Sequence, residues 1–263
     1  MGQVVNLQPI VHRPAAIGLR SNGNIYFVTD PKLSQLVERL RAAHAEKLTS
    51  VILYGSGAGS DYQSGFSDLN VLSVLTEITV AELGQAEPVF AWWRKQGHPA
   101  PLLMSELEVQ TSTDCFPIEF HDMQEQRSVL FGKDLIAGLV IDSSFYRAQV
   151  ERELRAKLLR LRQKSAAVLQ DGKALAHLML ESVSTFCVLA RHALLLAGIP
   201  VSWQKREVVA KLREVQLDGS ALQQLLDVRE KRKNIGDLST DALFSEYLKQ
   251  IEALVAFVDR LQK

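Results

Sequence analysis

Residues 51–75 read VILYGSGAGSDYQSGFSDLNVLSVL, and this stretch decides which fold the sequence predicts. An apolar run rich in β-branched residues enters a Gly-Ser turn, a loop of small and polar residues follows, and the tripeptide Asp-Leu-Asn leads into a second apolar run. The two runs predict short strands at 50–55 and 69–76, because continuous apolar runs of this length are typical of strands covered on both faces. A glycine-rich turn that follows a strand indicates a site for phosphate groups.

The segments on either side of this stretch predict helices and further short strands. Asp30 before Pro31 is an N-cap followed by a first-turn proline, and it predicts a helix over 31–47. A second helix is predicted over 79–97 and a strand over 101–104. Ser105, with a glutamate three residues later, fits a capping box that opens a short helix.

The segment FPIEFHDM (116–123) predicts another strand. Its apolar residues alternate with polar ones, which would place Ile118 and Phe120 on one face and Glu119 and His121 on the other. Glu119 would then lie on a strand beside the two that flank the Gly-Ser turn.

From residue 143 onward the pattern is helical. Apolar residues recur at helical spacing over 143–170, and 173–197 is apolar nearly all round, as expected of a central buried helix. Shorter helices are predicted near 203–215, 219–234 and 240–262. The sequence therefore predicts an α/β (α+β) domain over 1–135 and an all-helical bundle over 143–263.

Two common phosphate-binding motifs do not fit the Gly-Ser turn. A P-loop needs a lysine after its second glycine, and no lysine occurs between Lys47 and Lys95. A dinucleotide-binding turn is closer, because Gly57 and Ser60 take fingerprint positions and Glu77 lies at the end of the next strand. That fold places a crossover helix between its first two strands, and the loop here has no helical period.

The ordered set Gly55-Ser56, eleven residues, Asp68-Leu69-Asn70-Val71 and a later Glu119 resembles the signature of the nucleotidyltransferase superfamily, which has the polymerase-beta-like fold. Alternation along a strand would put residues 68 and 70 on one face, as two ligands of one metal require. The resemblance covers residues 30–125, and it implies a small mixed-sheet nucleotidyltransferase domain. A helical bundle also follows this domain in some relatives.

The resemblance implies a metal-dependent enzyme that binds a nucleoside triphosphate and transfers NMP to a hydroxyl group of a small molecule, protein or RNA. It assigns residues to three roles. The catalytic residues are Asp68 and Glu119, the ligands of Mg²⁺ or Mn²⁺ are Asp68, Asn70 and Glu119, and the phosphate-binding residues are Gly55, Ser56 and Gly57.

One residue departs from the family pattern, and this departure leaves open whether the protein is catalytically active. Asn70 stands where the family has a second carboxylate, and the lost interaction between unit charges is about 4 kcal/mol at 4 Å and an effective dielectric of 20. Asp61 and Asp122 are the nearby carboxylates that could compensate. The alternative is a catalytically impaired module that binds a nucleotide or a partner, and a third possibility is a purely structural protein.

A second departure concerns phosphate charge, since the loop SGAGSDYQSG contains no basic residue. Residues 1–142 carry ten Lys and Arg against sixteen Asp and Glu, whereas residues 143–263 carry twenty against fourteen. The basic bundle could therefore neutralise a triphosphate, and its candidates are Arg147, Arg152, Arg155, Lys157 and Arg191. For Arg191, in mid-helix among apolar residues, an ion pair with Glu181 or with an acidic residue of a neighbouring helix is the favoured interpretation.

Composition excludes several other classes. Hydrophobic residues make up 47% and charged residues 23% of the chain, which is typical of a globular protein. Cys115 and Cys187 have no metal-ligand spacing and predict free thiols in a reducing compartment. No apolar stretch was expected to reach the roughly 20 residues of a membrane span. We therefore expect a cytoplasmic protein with no membrane partner.

Overall fold

The computed structural model describes residues 30–59, 69–237 and 239–261. Within these ranges a four-stranded sheet is followed by a bundle of helices. The strands are β1 (Leu48–Tyr54), β2 (Asn70–Leu75), β3 (Leu102–Ser105) and β4 (Arg127–Gly132). The helices are α1 (Pro31–His44), α2 (Val80–Lys95), α3 (Glu106–Thr111), α4 (Pro117–Glu125), α5 (Tyr146–Ala166), α6 (Gly172–Leu196), α7 (Lys205–Lys211), α8 (Ser220–Arg229) and α9 (Thr240–Arg260).

The sheet has the strand order β3-β2-β1-β4. β1 pairs antiparallel with β2 and with β4, and β2 pairs parallel with β3, so the sheet is mixed. The two central strands are the apolar runs around the Gly-Ser turn, and Ile52, Leu53 and Leu72 have no exposed surface. The mixed sheet and the helical second half confirm the predicted fold class.

Helices cover both faces of the sheet, and alternation along β1 and β2 decides which residues meet them. Leu53 and Val71 face one core, which includes Leu36 of α1 and Trp93 of α2. The opposite residues, including Ile52 and Leu72, face a second core that contains Phe120 and Met123 of α4. The sheet domain is therefore a three-layer arrangement with α4 on the layer nearer the bundle.

The prediction of a strand over 116–123 is wrong, because these residues form helix α4. Pro117 takes the first helical position, where its missing N–H costs nothing. Residues two apart on a helix point about 200° apart, and Ile118 packs into the bundle core while Phe120 packs against the sheet. A helix between two apolar cores thus produces the same alternation as a strand.

The strand that completes the sheet is β4, which the sequence interpretation missed. It pairs with β1 through Tyr54 opposite Arg127 and Leu53 opposite Ser128. Its residues are mostly half-buried, as expected of an edge strand. The other local predictions are confirmed: Asp30 caps α1, and Ser105 and Glu108 form a capping box at the start of α3.

The bundle is built around α6, the helix that is apolar nearly all round. α6 packs against α5, α7, α8 and α9, and most of its side chains are buried. By length and composition α6 is the one helix of the described residues that could cross a membrane, which corrects the expectation that no stretch is long enough. Of its most apolar window, 67% is buried inside the protein, as in a core helix.

The connection between β4 and α5 contains the predicted domain boundary. Ile136 in this connection is fully buried in the core that α4 shares with the sheet. The first helix of the bundle begins after it, at Tyr146, and the division into two domains stays a prediction.

Candidate functional site

The turn after β1 is a single turn of 3₁₀-helix, Gly55–Ala58. Gly55 has φ 69°, a conformation that favours glycine. Its N–H donates to the carbonyl of Gln126 at 3.2 Å, so this amide is already used within the protein. Gly57 lies in the same turn and is partly exposed, whereas the side chain of Ser56 is outside what the structure describes.

Gln126 also covers the far side of this turn. A Cβ atom added to Gly59 would lie 1.2 Å from Nε2 of Gln126, so the end of the Gln126 side chain lies directly against this glycine. Gln126 follows α4 directly and therefore connects the turn to the helix that carries Glu119. Nothing in the sequence near Gln126 indicates this contact, and sequence reasoning missed it.

Asn70, a predicted metal ligand, lies at the start of β2 beside the turn. It pairs with Tyr54 across the two strands, and paired residues project to the same face of a sheet. A Cβ atom at Gly55 would lie 3.5 Å from Nδ2 of Asn70. The Asn70 amide is thus next to the turn, as the motif predicts, while Asp68 lies outside the described residues.

Glu119 reaches this same face of the sheet, although from α4 and not from a strand. Burial raises the pKa of the Tyr54 hydroxyl to about 12, and the charges of Glu119 and Asp122 contribute to the rise. Glu119 remains exposed to solvent, yet the surrounding protein atoms remove enough water to raise the pKa of its carboxyl group. Tyr54 is therefore linked to both predicted ligands, to Asn70 as its partner across the strands and to Glu119 through its charge.

Asp122, considered above as a compensating carboxylate, is instead held by the bundle. Its Oδ1 accepts a hydrogen bond from Nη1 of Arg191 at 3.1 Å and lies 3.0 Å from Nε2 of His192. The His192 contact is close but is not aligned as a hydrogen bond. Arg191 also donates to Glu125, which confirms that an acidic residue of a neighbouring helix pairs with it.

His121 does not share a face with Glu119, because the two residues are separated by about 200° on a helix. Its ring lies against the ring of Tyr146, with 4.7 Å between centroids. Burial lowers the pKa of His121, and a positive charge on His192 would lower it further. The predicted strand-face pair is therefore wrong, and His121 belongs to the contact between α4 and α5.

The basic residues predicted at the start of the bundle form ion pairs within α5. Arg147 and Arg155 pair with Glu151, each at 2.8 Å. Two further pairs join Arg152 and Lys157 to Glu153. The structure therefore places these cations on the helix surface with carboxylate partners.

The donor atoms near the turn suit a hard cation. The Asn70 amide oxygen and the Glu119 carboxylate are the kinds of ligand that Mg²⁺ takes, and negative charge is concentrated around Tyr54. In the described ranges, no group of three His, Cys, Asp or Glu residues is arranged to hold a metal. The predicted set also requires Asp68, which those ranges do not include.

A comparison with solved structures finds the same arrangement of sheet and bundle. The spectinomycin adenyltransferase AAD(9) from Enterococcus faecialis, in a crystal structure with ATP and spectinomycin, matches 87% of this chain and 99% of its own chain with a TM-score of 0.55. The chain has the fold of a nucleotidyltransferase. Sequence identity to that adenyltransferase is 13%, so the nucleotidyltransferase likeness is one of fold. No protein-family model matches the sequence, and no curated protein matches it.

Proposed function

We propose that this protein is a metal-dependent nucleotidyltransferase-like protein that binds a nucleoside triphosphate and transfers NMP to a hydroxyl acceptor. The observation that carries the proposal is that Asn70 is the cross-strand partner of Tyr54 beside the Gly55 turn, while the charge of Glu119 acts on the same tyrosine. The structural likeness to an adenyltransferase solved with ATP supports the choice of nucleotide. The acceptor class stays open between a small molecule, a protein and RNA.

The residues present fit a divalent cation by their chemistry. Asp68, Asn70 and Glu119 would hold Mg²⁺ or Mn²⁺, which supplies positive charge to the triphosphate when it is bound. Gly57 and Ser56 would hold the phosphates through the turn, since the Gly55 N–H is taken by Gln126. The raised pKa of Glu119 also suits a carboxylate that accepts a proton.

In the proposed reaction the acceptor oxygen attacks the α-phosphorus and forms a new phosphorus–oxygen bond. The bond between the α-phosphorus and the oxygen that leads to the β-phosphate breaks, and pyrophosphate leaves. The hydroxyl proton passes to a nearby base, for which Glu119 is the described candidate. The task of this chain is to position the acceptor and triphosphate, as expected for phosphoryl-type transfers.

A second candidate function is a nucleotide-binding module that has lost turnover. The observation that favours it is the amide of Asn70, which brings no charge to a position next to Glu119 and Tyr54. Such a module would bind a nucleotide without releasing pyrophosphate. We place either form in the cytoplasm, since neither Cys115 nor Cys187 is in a disulfide.

Titration calorimetry with each nucleoside triphosphate, with and without Mg²⁺ or Mn²⁺, tests the proposal when it is combined with an assay of pyrophosphate release. Metal-dependent binding with release supports the enzyme, binding without release supports the module, and no binding refutes both. Glu119→Gln should reduce release by about 100-fold or more. Glu246→Gln, an exposed change on α9, is the matched control and should leave release unchanged.

A further inference from the structure

One side of α4 is fixed by polar contacts to two helices of the bundle. We call this contact the α4–bundle joint and define it as Asp122, Glu125, Tyr146, Arg191 and His192. His192 has no exposed surface and Arg191 is 1% exposed, so the joint is buried on the bundle side. Asp122 and Arg191 were candidates for the metal site and for the charge of the triphosphate, but the structure pairs them with each other.

The joint contains hydrogen bonds between Tyr146 and His192 and from Arg191 to Asp122. The hydroxyl of Tyr146 lies 2.6 Å from Nδ1 of His192, and Nε2 of the same ring lies in close polar contact with Oδ1 of Asp122, at 3.0 Å. A neutral ring with its proton on Nε2 would accept a hydrogen bond from the tyrosine hydroxyl at Nδ1 and turn its N–H toward Asp122. Arg191 binds Asp122 as well, and its guanidinium stacks on the Trp203 ring at 4.1 Å.

The opposite side of α4 meets the sheet through apolar contacts, which Phe120 and Met123 provide. Apolar contacts depend on area and are not directional, so they allow a helix to roll about its axis more easily than hydrogen bonds do. A side-chain end about 6 Å from the helix axis moves about 1 Å for a roll of 10°. A joint that limits this roll would therefore also fix the position of the Glu119 side chain.

We propose that His192 and Tyr146 are positioning residues, which set the roll of α4 and thereby hold Glu119 against the Asn70 side of the site. Their effect passes through Asp122, three residues from Glu119 on the same helix. The inference rests on the proposed function for its catalytic readout. A misplacement of about 1 Å costs about 100-fold in rate when orientation matters.

The test uses full-length variants that remove these contacts by degrees. His192→Leu removes both ring contacts, Tyr146→Phe removes only the hydroxyl, and His192→Gln keeps an N–H donor that can reach Asp122. We expect kcat to fall about 100-fold for His192→Leu and about tenfold for Tyr146→Phe, with KM for the triphosphate unchanged because the phosphate turn is not altered. His192→Gln should recover about tenfold relative to the leucine variant.

The matched control is Tyr247→Phe. Tyr247 is fully buried in the bundle, and its hydroxyl bonds to Ser182 at 3.0 Å, so the variant loses the same kind of contact far from α4. We expect it to lower the melting temperature and to leave kcat unchanged. An unchanged kcat in His192→Leu would overturn the proposal. The proposal would also be overturned if Tyr247→Phe lowered kcat as much as His192→Leu does while the two variants lost the same stability.

Amide hydrogen exchange separates a failure of this inference from a failure of the proposed function. If the wild-type protein transfers no nucleotide, the function is refuted and exchange alone decides the positioning role. Faster exchange in α4 for His192→Leu and Tyr146→Phe than for Tyr247→Phe, restored by His192→Gln, supports the inference. Equal α4 exchange in all variants overturns it.

Discussion

Asn70→Asp is expected to destabilise the folded protein without metal and to strengthen its binding of Mg²⁺ when the metal is present. Without metal, the new carboxylate adds to the charges of Glu119 and Asp122, which already act on Tyr54; burial, with these charges, raises the pKa of the Tyr54 hydroxyl to about 12. Like charges in one place oppose folding, so the variant should be less stable than the wild type in EDTA by about 1 kcal/mol. With Mg²⁺ the same charge becomes a ligand, and the variant should bind the metal more tightly.

The expected gain in Mg²⁺ affinity follows from the position of residue 70. Two unit charges at about 4 Å interact by about 4 kcal/mol at an effective dielectric of 20. Asn70 is half-buried beside an open turn, so water screens the pair and about half of that energy remains. A gain of about 2 kcal/mol corresponds to about 30-fold tighter binding of Mg²⁺.

Thermal melting in EDTA and in a series of Mg²⁺ concentrations measures both effects in one experiment, because a ligand of the folded state raises the melting temperature with concentration. The matched control is Asn234→Asp, an exposed change between α8 and α9, which should not alter the dependence on Mg²⁺. If Asn70→Asp gives the wild-type dependence on Mg²⁺, residue 70 does not face a metal site and the proposed ligand set is wrong.

Three further predictions concern stability, and urea unfolding tests each of them. Arg191→Met should lower the free energy of unfolding by about 3 kcal/mol, because it leaves Asp122 without its buried partner. A loss below about 1 kcal/mol would contradict the interpretation that this ion pair is buried. Gln250→Leu should lower the free energy of unfolding by about 2 kcal/mol, since the Gln250 amide oxygen accepts hydrogen bonds from two first-turn N–H groups of α8. An unchanged urea midpoint would show that water replaces this cap. Burial lowers the pKa of His44 and of His121, so the unfolded chain binds more protons below about pH 6.5 and stability should fall between about pH 7.5 and about pH 5.5. Replacing both histidines with glutamine should remove that part of the pH dependence.

The sequence was sufficient for the central strands and for the part of the site that is local to them. β1 and β2 are continuous apolar runs, and the chain between them contains the turn and Asn70, so pattern and motif point to the same place. The capping box at Ser105, the N-cap at Asp30 and the long amphipathic helices were found for the same reason, since their signals lie within a few residues.

The wrong and missing predictions concern elements whose pattern depends on neighbours that are distant in sequence. α4 alternates apolar and polar residues because Ile118 and Phe120 enter different cores, and a single sequence cannot show that two cores exist. β4 was missed because a half-buried edge strand has a weak pattern. The contacts of Gln126 and Tyr146 were missed because contacts between residues distant in sequence leave no local signal.

The position of α4 limits how this chain can be divided into parts. A fragment ending near residue 135 would keep α4 on the sheet, but Ile118 would lose its apolar neighbours and Asp122 its cation. The exposed strip would be both apolar and acidic, and such a fragment would associate or unfold. The unit that can be exchanged between proteins or expressed alone is therefore the sheet together with the whole bundle, and a tag or fusion is better placed after α9 than between the two halves.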